Sequence, residues 1–119
     1  MYEKSLEKLE KAEINAVNAY AKALPSNIVE GRTLWLDRGT IVNIKSRKEM
    51  AELFDRIKSI GINLVYFETI NAGYSIYPSK ILEQNPLTVG WDPLYWAIKE
   101  AHQRNIELHA WTWIFAVGN

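Results

Sequence analysis

Cysteine is absent from this chain of 119 residues, which excludes a disulfide framework, a thiol nucleophile and cysteine-liganded zinc. An excess of one charge is absent too, because 14 Lys and Arg balance 14 Asp and Glu. A net charge of zero gives no electrostatic attraction for nucleic acid or for an anionic membrane. No apolar run approaches the ~18 residues of a membrane-spanning helix, and the charged start lacks the apolar core of a signal peptide. We therefore expect no nucleic-acid partner and no membrane partner, and localisation stays open.

Motifs for phosphate, metal and hydrolase chemistry are missing as well. The sequence has no Gly-rich phosphate loop, no His-Glu-x-x-His, no EF-hand loop and no Gly-x-Ser-x-Gly. Its two histidines, His102 and His109, make a weak case for zinc without cysteine. We predict no cofactor and no metal site. What is abundant is aromatic side chains, with five Trp and six Tyr.

Two helices are predicted in the first half of the chain. Apolar residues recur at a helical period over residues 5–24, with Ser5 as the expected N-cap and Pro25 as the stop. Residues 46–49 have the spacing of a capping box before a second helix. Gly61 stands where a left-handed helix stop falls.

A third helix and three strands complete the predicted elements. Asp92 as N-cap and Pro93 at the first helical position open the helix, which closes at residues 104–105. Its expected buried stripe consists of Leu94, Ala97, Ile98 and Ala101. Apolar stretches rich in β-branched and aromatic residues predict strands at 33–37, 62–70 and 106–115, with loops at 38–45 and 71–91.

This order predicts an α/β fold, a parallel β-α-β-α-β segment with right-handed crossovers, preceded by an N-terminal helix. Both crossover helices would cover one face, and the apolar third strand would be an open edge. The hypothesis is that residues 31–119 are about three of the eight strands of a (β/α)8 TIM barrel, whereas residues 1–30 are an amphipathic helix and connector. Open sheet edges would favour self-association.

Several short stretches carry a family resemblance. Residues 63–68 (Asn-Leu-Val-Tyr-Phe-Glu), 77–80 (Tyr-Pro-Ser-Lys), 92–94, 100–102 and 108–111 (Leu-His-Ala-Trp) occur in this order. Together they resemble a bacterial glycosyl-hydrolase-like family of the family-ten glycosylhydrolase type, and Arg32-Thr-Leu-Trp35 is similar to its first strand with Thr33 in place of Gly. The resemblance implies a TIM barrel acting on polysaccharide. It also implies that the acid and the nucleophile lie on later strands, so this chain would not be catalytically complete.

Carboxylates follow the first and second predicted strands, where barrel enzymes hold their functional side chains. Asp37 and Arg38 come after the first strand, and Glu68 ends the second. Neighbouring strands lie ~4.8 Å apart, so Glu68 and Asp37 could reach the ~5–5.5 Å separation of a retaining glycosidase. Both are catalytic candidates. The structural alternatives are an ion pair of Asp37 with Arg38 or a nearby lysine, and a loop hydrogen bond or ion pair for Glu68.

The expected ligand is a polysaccharide or oligosaccharide, because sugar rings stack on aromatic side chains and sugar hydroxyls bond polar ones. Alternation puts His109, Trp111 and Trp113 on one face of the third strand, and Tyr66 and Glu68 on one face of the second. The alternative for the aromatic residues is core packing, which we expect of Trp35 and Trp96. The substrate-binding candidates are Tyr66, Asn71, Tyr74, His109, Trp111 and Trp113.

Two functions remain at this stage. The first is the N-terminal part of a carbohydrate-active protein that is glycoside hydrolase-like in its full-length form. The second is a non-catalytic sugar-binding or protein-interaction domain on a partial barrel.

Overall fold

The computed structural model describes residues 2–23 and 30–116, and the chain divides into two compact units, residues 1–30 and 31–119. The first unit contains helix α1 (Tyr2–Ala23). The predicted helix is confirmed, but Ser5 as its N-cap is wrong, since the helix already begins at Tyr2. Apolar side chains such as Leu9 and Val17 are exposed along it. The expected stop at Pro25 lies outside the described residues.

The second unit alternates strands and helices. Its three longest strands and two longest helices correspond to the predicted elements. Two further elements, a short helix and a short strand, lie where loops were expected. In chain order the elements are β1 (Thr33–Leu36), α2 (Arg38–Ile41), α3 (Arg47–Ser59), β2 (Leu64–Asn71), β3 (Tyr74–Ser75), α4 (Pro93–Gln103) and β4 (Glu107–Thr112).

The helix ends follow the capping residues of the sequence. Asp92 accepts a hydrogen bond from the N–H of Tyr95 at 2.9 Å, with Pro93 in the first turn of α4. The Ser46 hydroxyl accepts from the N–H of Glu49 at 3.2 Å. The Glu49 carboxylate reaches back past the N-cap, accepting from the N–H of Lys45 at 2.7 Å, so both groups of the capping box are used in a shifted form. After α3, Gly61 has a φ of 83°, the left-handed conformation that glycine adopts without strain.

The three long strands are parallel in the order β1-β2-β4, with Thr33 opposite Leu64 and Leu64 opposite Glu107. The expectation of a purely parallel sheet is wrong, because β3 runs antiparallel to the end of β2. The chain reverses there through Ala72 and Gly73, whose positive φ values of 51° and 83° fit a two-residue hairpin turn. The four strands form a partial sheet, and each outer parallel strand pairs only with β2 within the described residues.

The hydrophobic core lies between one face of the sheet and helices α3 and α4. Val65 and Phe67 of β2 meet Phe54 of α3 and Ala97 of α4 there, and all four side chains are fully buried. Ile98 was expected in this core but is 37% exposed on the outer side of α4.

An ionic network joins the two helices beside the core. The buried Glu100 of α4 bonds Arg47 of α3 at 3.2 Å and Arg104 at 2.8 Å, and Arg104 also reaches Asp55 of α3 at 2.7 Å. The hydrogen bond from Arg104, assisted by one from Arg47, lowers the pKa of the Glu100 carboxyl below its usual value. The network therefore ties α3 to α4 through an ionised carboxylate.

Candidate functional site

A cleft of about 250 Å³ opens at the carboxyl ends of the three parallel strands. Residues from the end of each strand meet in it, because parallel strands all end at the same edge of a sheet. Its lining combines two carboxylates, one guanidinium, one amide and two indoles. The lining residues are Asp37, Arg38, Gly39, Glu68, Asn71, Trp111 and Trp113.

Glu68 is the buried acid of the cleft, with 1% of its surface exposed. Its Oε1 accepts a hydrogen bond from the amide Nδ2 of Asn71 at 2.6 Å, and its Oε2 accepts from the backbone N–H of Arg38. An ionised carboxylate has about four acceptor sites, so these two bonds leave capacity for a ligand hydroxyl. Asn71 and Arg38 thus fix the orientation of the Glu68 carboxylate.

Asp37 has a structural role in the same cleft, as a helix cap. It is the N-cap of α2, and its Oδ1 accepts from the backbone N–H of Thr40 at 2.8 Å. That bond and a second one to the Thr40 side chain hold the pKa of the Asp37 carboxyl below its usual value of 3.8. The ionised Asp37 therefore stabilises the turn that carries the N–H of Arg38 towards Glu68. The loop expected at 38–45 is replaced by α2 because of this cap.

Aromatic rings continue from the cleft along the face of the sheet opposite the helices. The ring of Trp111 lies 6.3 Å from that of Trp113 and 4.8 Å, edge-on, from that of Trp35. Trp35 in turn lies 4.6 Å from Tyr66, which lies 5.6 Å from His109. We call Trp35, Tyr66, His109, Trp111 and Trp113 the aromatic face. Their rings form a continuous aromatic surface that leads into the cleft.

The cleft contains many of the residues singled out in the sequence. Asp37, Glu68, Asn71, Trp111 and Trp113 all line it. Tyr66 and His109 belong to the aromatic face nearer the starts of their strands, and Tyr74 lies on β3, outside the lining of this cleft.

Trp35 and Gly39 were not among the candidates taken from the sequence, whereas Arg38 was noted after the first strand without a catalytic or binding role of its own. Trp35 was expected to be a packing residue, but it is 55% exposed and joins the aromatic face. Trp35 and Asp37 are two positions apart, and side chains two positions apart on a strand point to the same face of the sheet. This spacing was the sequence signal for placing Trp35 beside the site. Gly39 could have been found only by recognising that Asp37 caps a helix and keeps Gly39 at the strand end.

The described parts of the chain, residues 2–23 and 30–116, contain no cluster of three or more His, Asp or Glu side chains that could hold a metal ion. Among the helices that the structure describes, none has the length and apolar character needed to cross a membrane.

Comparison with known proteins agrees with the resemblance seen in the sequence. The model of the family described as glycosyl hydrolase-like 10 matches residues 30–118. The chain is 35% identical over 72 residues to "Glycosyl hydrolase DigH" of Escherichia coli strain K12, an alignment covering 55% of this chain and 16% of DigH. It is 31% identical over 81 residues to "Glycosyl hydrolase YngK" of Bacillus subtilis strain 168, covering 59% of this chain and 15% of YngK. The chain thus spans about a sixth of the length of these relatives. With the family model matching most of its length, this chain belongs to the glycosyl hydrolase-like 10 family.

Proposed function

We propose that this chain is the N-terminal fragment of a glycoside hydrolase-like protein and forms one wall of its carbohydrate-binding site. The cleft at the carboxyl ends of the strands is the observation that carries this proposal. It joins two indoles, on which sugar rings stack, to the polar groups of Glu68 and Asn71, which exchange hydrogen bonds with sugar hydroxyls. The names of the two relatives support a carbohydrate as the ligand.

Residues 31–119 are, in this proposal, about three of the eight strands of a (β/α)8 barrel. Three features support it: the three long strands are parallel, helices α3 and α4 lie on one face of the sheet, and the cleft lies at the carboxyl ends of the strands. The active sites of such barrels lie at that end. The aromatic face would then point into the barrel, and the two outer strands would pair with further strands. In the isolated chain, these open edges would favour self-association.

Catalysis by the complete protein would need acids from other strands as well. Glu68 is the better of the two carboxylates for contact with a reacting sugar, because it is buried in the cleft and its orientation is fixed by two donors. Asp37 caps α2, and in our proposal it acts mainly by holding Arg38 in place. A retaining pair of Glu68 and Asp37 stays a hypothesis; unchanged turnover in Glu68→Gln of the complete enzyme would remove Glu68 from the mechanism.

The second candidate function is sugar binding without hydrolysis. It is favoured by the hydrogen bonds that already occupy both carboxylates, since a group that holds the fold is less free to transfer protons. An assay for new reducing ends on each bound oligosaccharide separates the two functions. Cleavage by this chain alone would contradict both the second candidate and our view that the chain is catalytically incomplete.

The sugar-binding proposal is tested with a panel of neutral and acidic oligosaccharides titrated into the full chain. We expect binding that Trp113→Ala weakens about tenfold, a typical cost of losing a stacked aromatic ring. Tyr95→Ala is the matched control, because Tyr95 is an exposed aromatic residue on α4, distant in sequence from the strand ends. Absence of binding to every sugar, or equal weakening by both variants, would contradict the proposal.

A further inference from the structure

Among the residues that the structure describes, Arg38 is the one basic residue that lines the cleft. Its side chain is half-buried, and within residues 2–23 and 30–116 its guanidinium makes no hydrogen bond, while its positive charge acts on the neighbouring Asp37 and helps to lower the pKa of that carboxyl. Arg47 and Arg104, by contrast, are both bonded to Glu100. A half-buried guanidinium normally finds a partner, because its five donors lose water when the side chain is covered.

Part of the hydrogen-bonding capacity of both carboxylates of the cleft is already used by the protein. Glu68 uses Oε1 for Asn71 and Oε2 for the backbone N–H of Arg38, and Asp37 uses Oδ1 for Thr40. The guanidinium of Arg38 is therefore the charged group of the cleft with the most unused hydrogen-bonding capacity. Its planar fork of donors matches an oxyanion with two oxygens, such as a carboxylate or a sulfate.

We infer that the cleft is selective for an acidic sugar, and that Arg38 is the specificity-determining residue that binds its anionic group. The sugar ring would stack on Trp111 or Trp113, while Glu68 and Asn71 would contact its hydroxyls. Asp37 lies beside Arg38 and offsets part of its charge, so the selectivity rests on the hydrogen bonds that the guanidinium donates and not on an excess of positive charge. This inference rests on the proposed sugar-binding function and adds the class of sugar.

The test compares sugars that differ only at C6. The full chain is titrated with β-1,4-linked mannotetraose and the matched tetramannuronate, and with cellotetraose, its C6 uronate and its 6-O-sulfate. We expect the acidic member of at least one pair to bind about tenfold more tightly than the neutral member, the scale of a hydrogen bond to a charged group. The uronate and sulfate arms show which anionic group is preferred.

Variants of Arg38 then assign the selectivity to this residue. Arg38→Gln should remove the preference, weakening the acidic sugar about tenfold and the neutral sugar much less. Arg38→Lys should retain part of the preference for the acidic sugar, because lysine keeps the positive charge but lacks the planar pair of donors of the guanidinium. Arg56→Gln is the matched control for net charge, since Arg56 is an exposed arginine on α3 that does not line the cleft.

The outcomes separate the inference from the function on which it rests. Equal affinity for neutral and acidic sugars, or equal loss of both in Arg38→Gln, overturns the inference and leaves the sugar-binding proposal intact. Absence of binding to every sugar of the wider panel overturns both. Equal effects of Arg38→Gln and Arg56→Gln would assign the preference to overall charge and overturn the role of Arg38.

Discussion

The Glu68 side chain is buried and accepts hydrogen bonds from two protein donors. Among the residues of the site, its substitution should therefore reduce the stability of the fold most. Glu68→Ala leaves the amide of Asn71 and the N–H of Arg38 without their acceptor. We predict that the free energy of unfolding falls by about 1–3 kcal/mol, the cost of unsatisfied buried polar groups. Glu68→Gln should cost less, because its carbonyl oxygen can still accept one of the two bonds.

Urea unfolding of both variants checks this prediction. Glu83→Ala serves as the control, since Glu83 is an exposed carboxylate in the segment between β3 and α4. Equal stability of Glu68→Ala and Glu83→Ala would show that the contacts of Glu68 contribute nothing to the fold.

Single residues of the site were partly predictable from the sequence. Glu68 and Asp37 were identified because carboxylates follow predicted strands, and both do line the cleft. The sequence did not reveal that Asp37 caps α2, since a helix of four residues is too short to show a period. The sequence also did not reveal that the N–H of Arg38 donates a hydrogen bond to Glu68, because this bond depends on how that short helix turns the N–H inward.

At the scale of elements, the contact between α3 and α4 depends on an ionised side chain. The pKa of Glu100 is lowered by its hydrogen bond to Arg104, so the folded state favours the carboxylate more strongly than the unfolded chain does. The stabilisation is thus fully present above the usual pKa of 4.5 and is lost as the pH falls through the lower folded value. We predict that the free energy of unfolding decreases from about pH 5 towards pH 3.

Glu100→Gln identifies the source of this pH dependence. The variant should be less stable than the natural chain at neutral pH, and the difference should shrink as the pH falls and Glu100 is protonated in the natural chain. Asp55, whose pKa is also lowered by Arg104, contributes in the same direction from an exposed position. A stability difference that stays constant from neutral pH to pH 3 would contradict the assignment to Glu100.

Elements with strong local signals were predicted well. The caps at Ser46 and Asp92 and the stop at Gly61 mark real helix ends, because each signal is a contact between residues close in sequence. β3 was missed, since its two residues form a strand only through pairing with β2 and a turn in which Ala72 takes a positive φ. An alanine gives no sequence signal for that conformation.

At the scale of the whole molecule, β1 and β4 each leave one edge unpaired within the described residues. Parallel strands of this kind offer free N–H and C=O groups to another chain. We predict concentration-dependent self-association of this chain, measurable by sedimentation velocity. Ala110→Lys should reduce it, because Ala110 is exposed on β4 and lysine is a common protection of edge strands.

The matched control for that variant is Gln103→Lys, which adds the same charge at an exposed position at the end of α4. A natural chain that stays monomeric at every concentration, or equal behaviour of the two variants, would contradict association through the β4 edge.

The parallel order of the long strands was predictable because right-handed crossovers leave little choice of topology. Closure into a barrel could not be predicted from this sequence, because it depends on about eight strands and only three long ones are present here. The aromatic face could not be predicted either. Trp35 and Trp111 contact each other across β2, a meeting that only the assembled sheet creates.

The central claim, that the cleft beside Trp111 and Trp113 binds sugar, has a direct test in the five tryptophans. Each indole N–H gives its own signal in a ¹H–¹⁵N NMR spectrum, and each can be assigned by substitution. We predict that a bound oligosaccharide shifts the signals of Trp111 and Trp113 and leaves those of Trp91 and Trp96, which pack against the core, unchanged. Shifts confined to Trp91 and Trp96, or no shift with any sugar, would contradict the account.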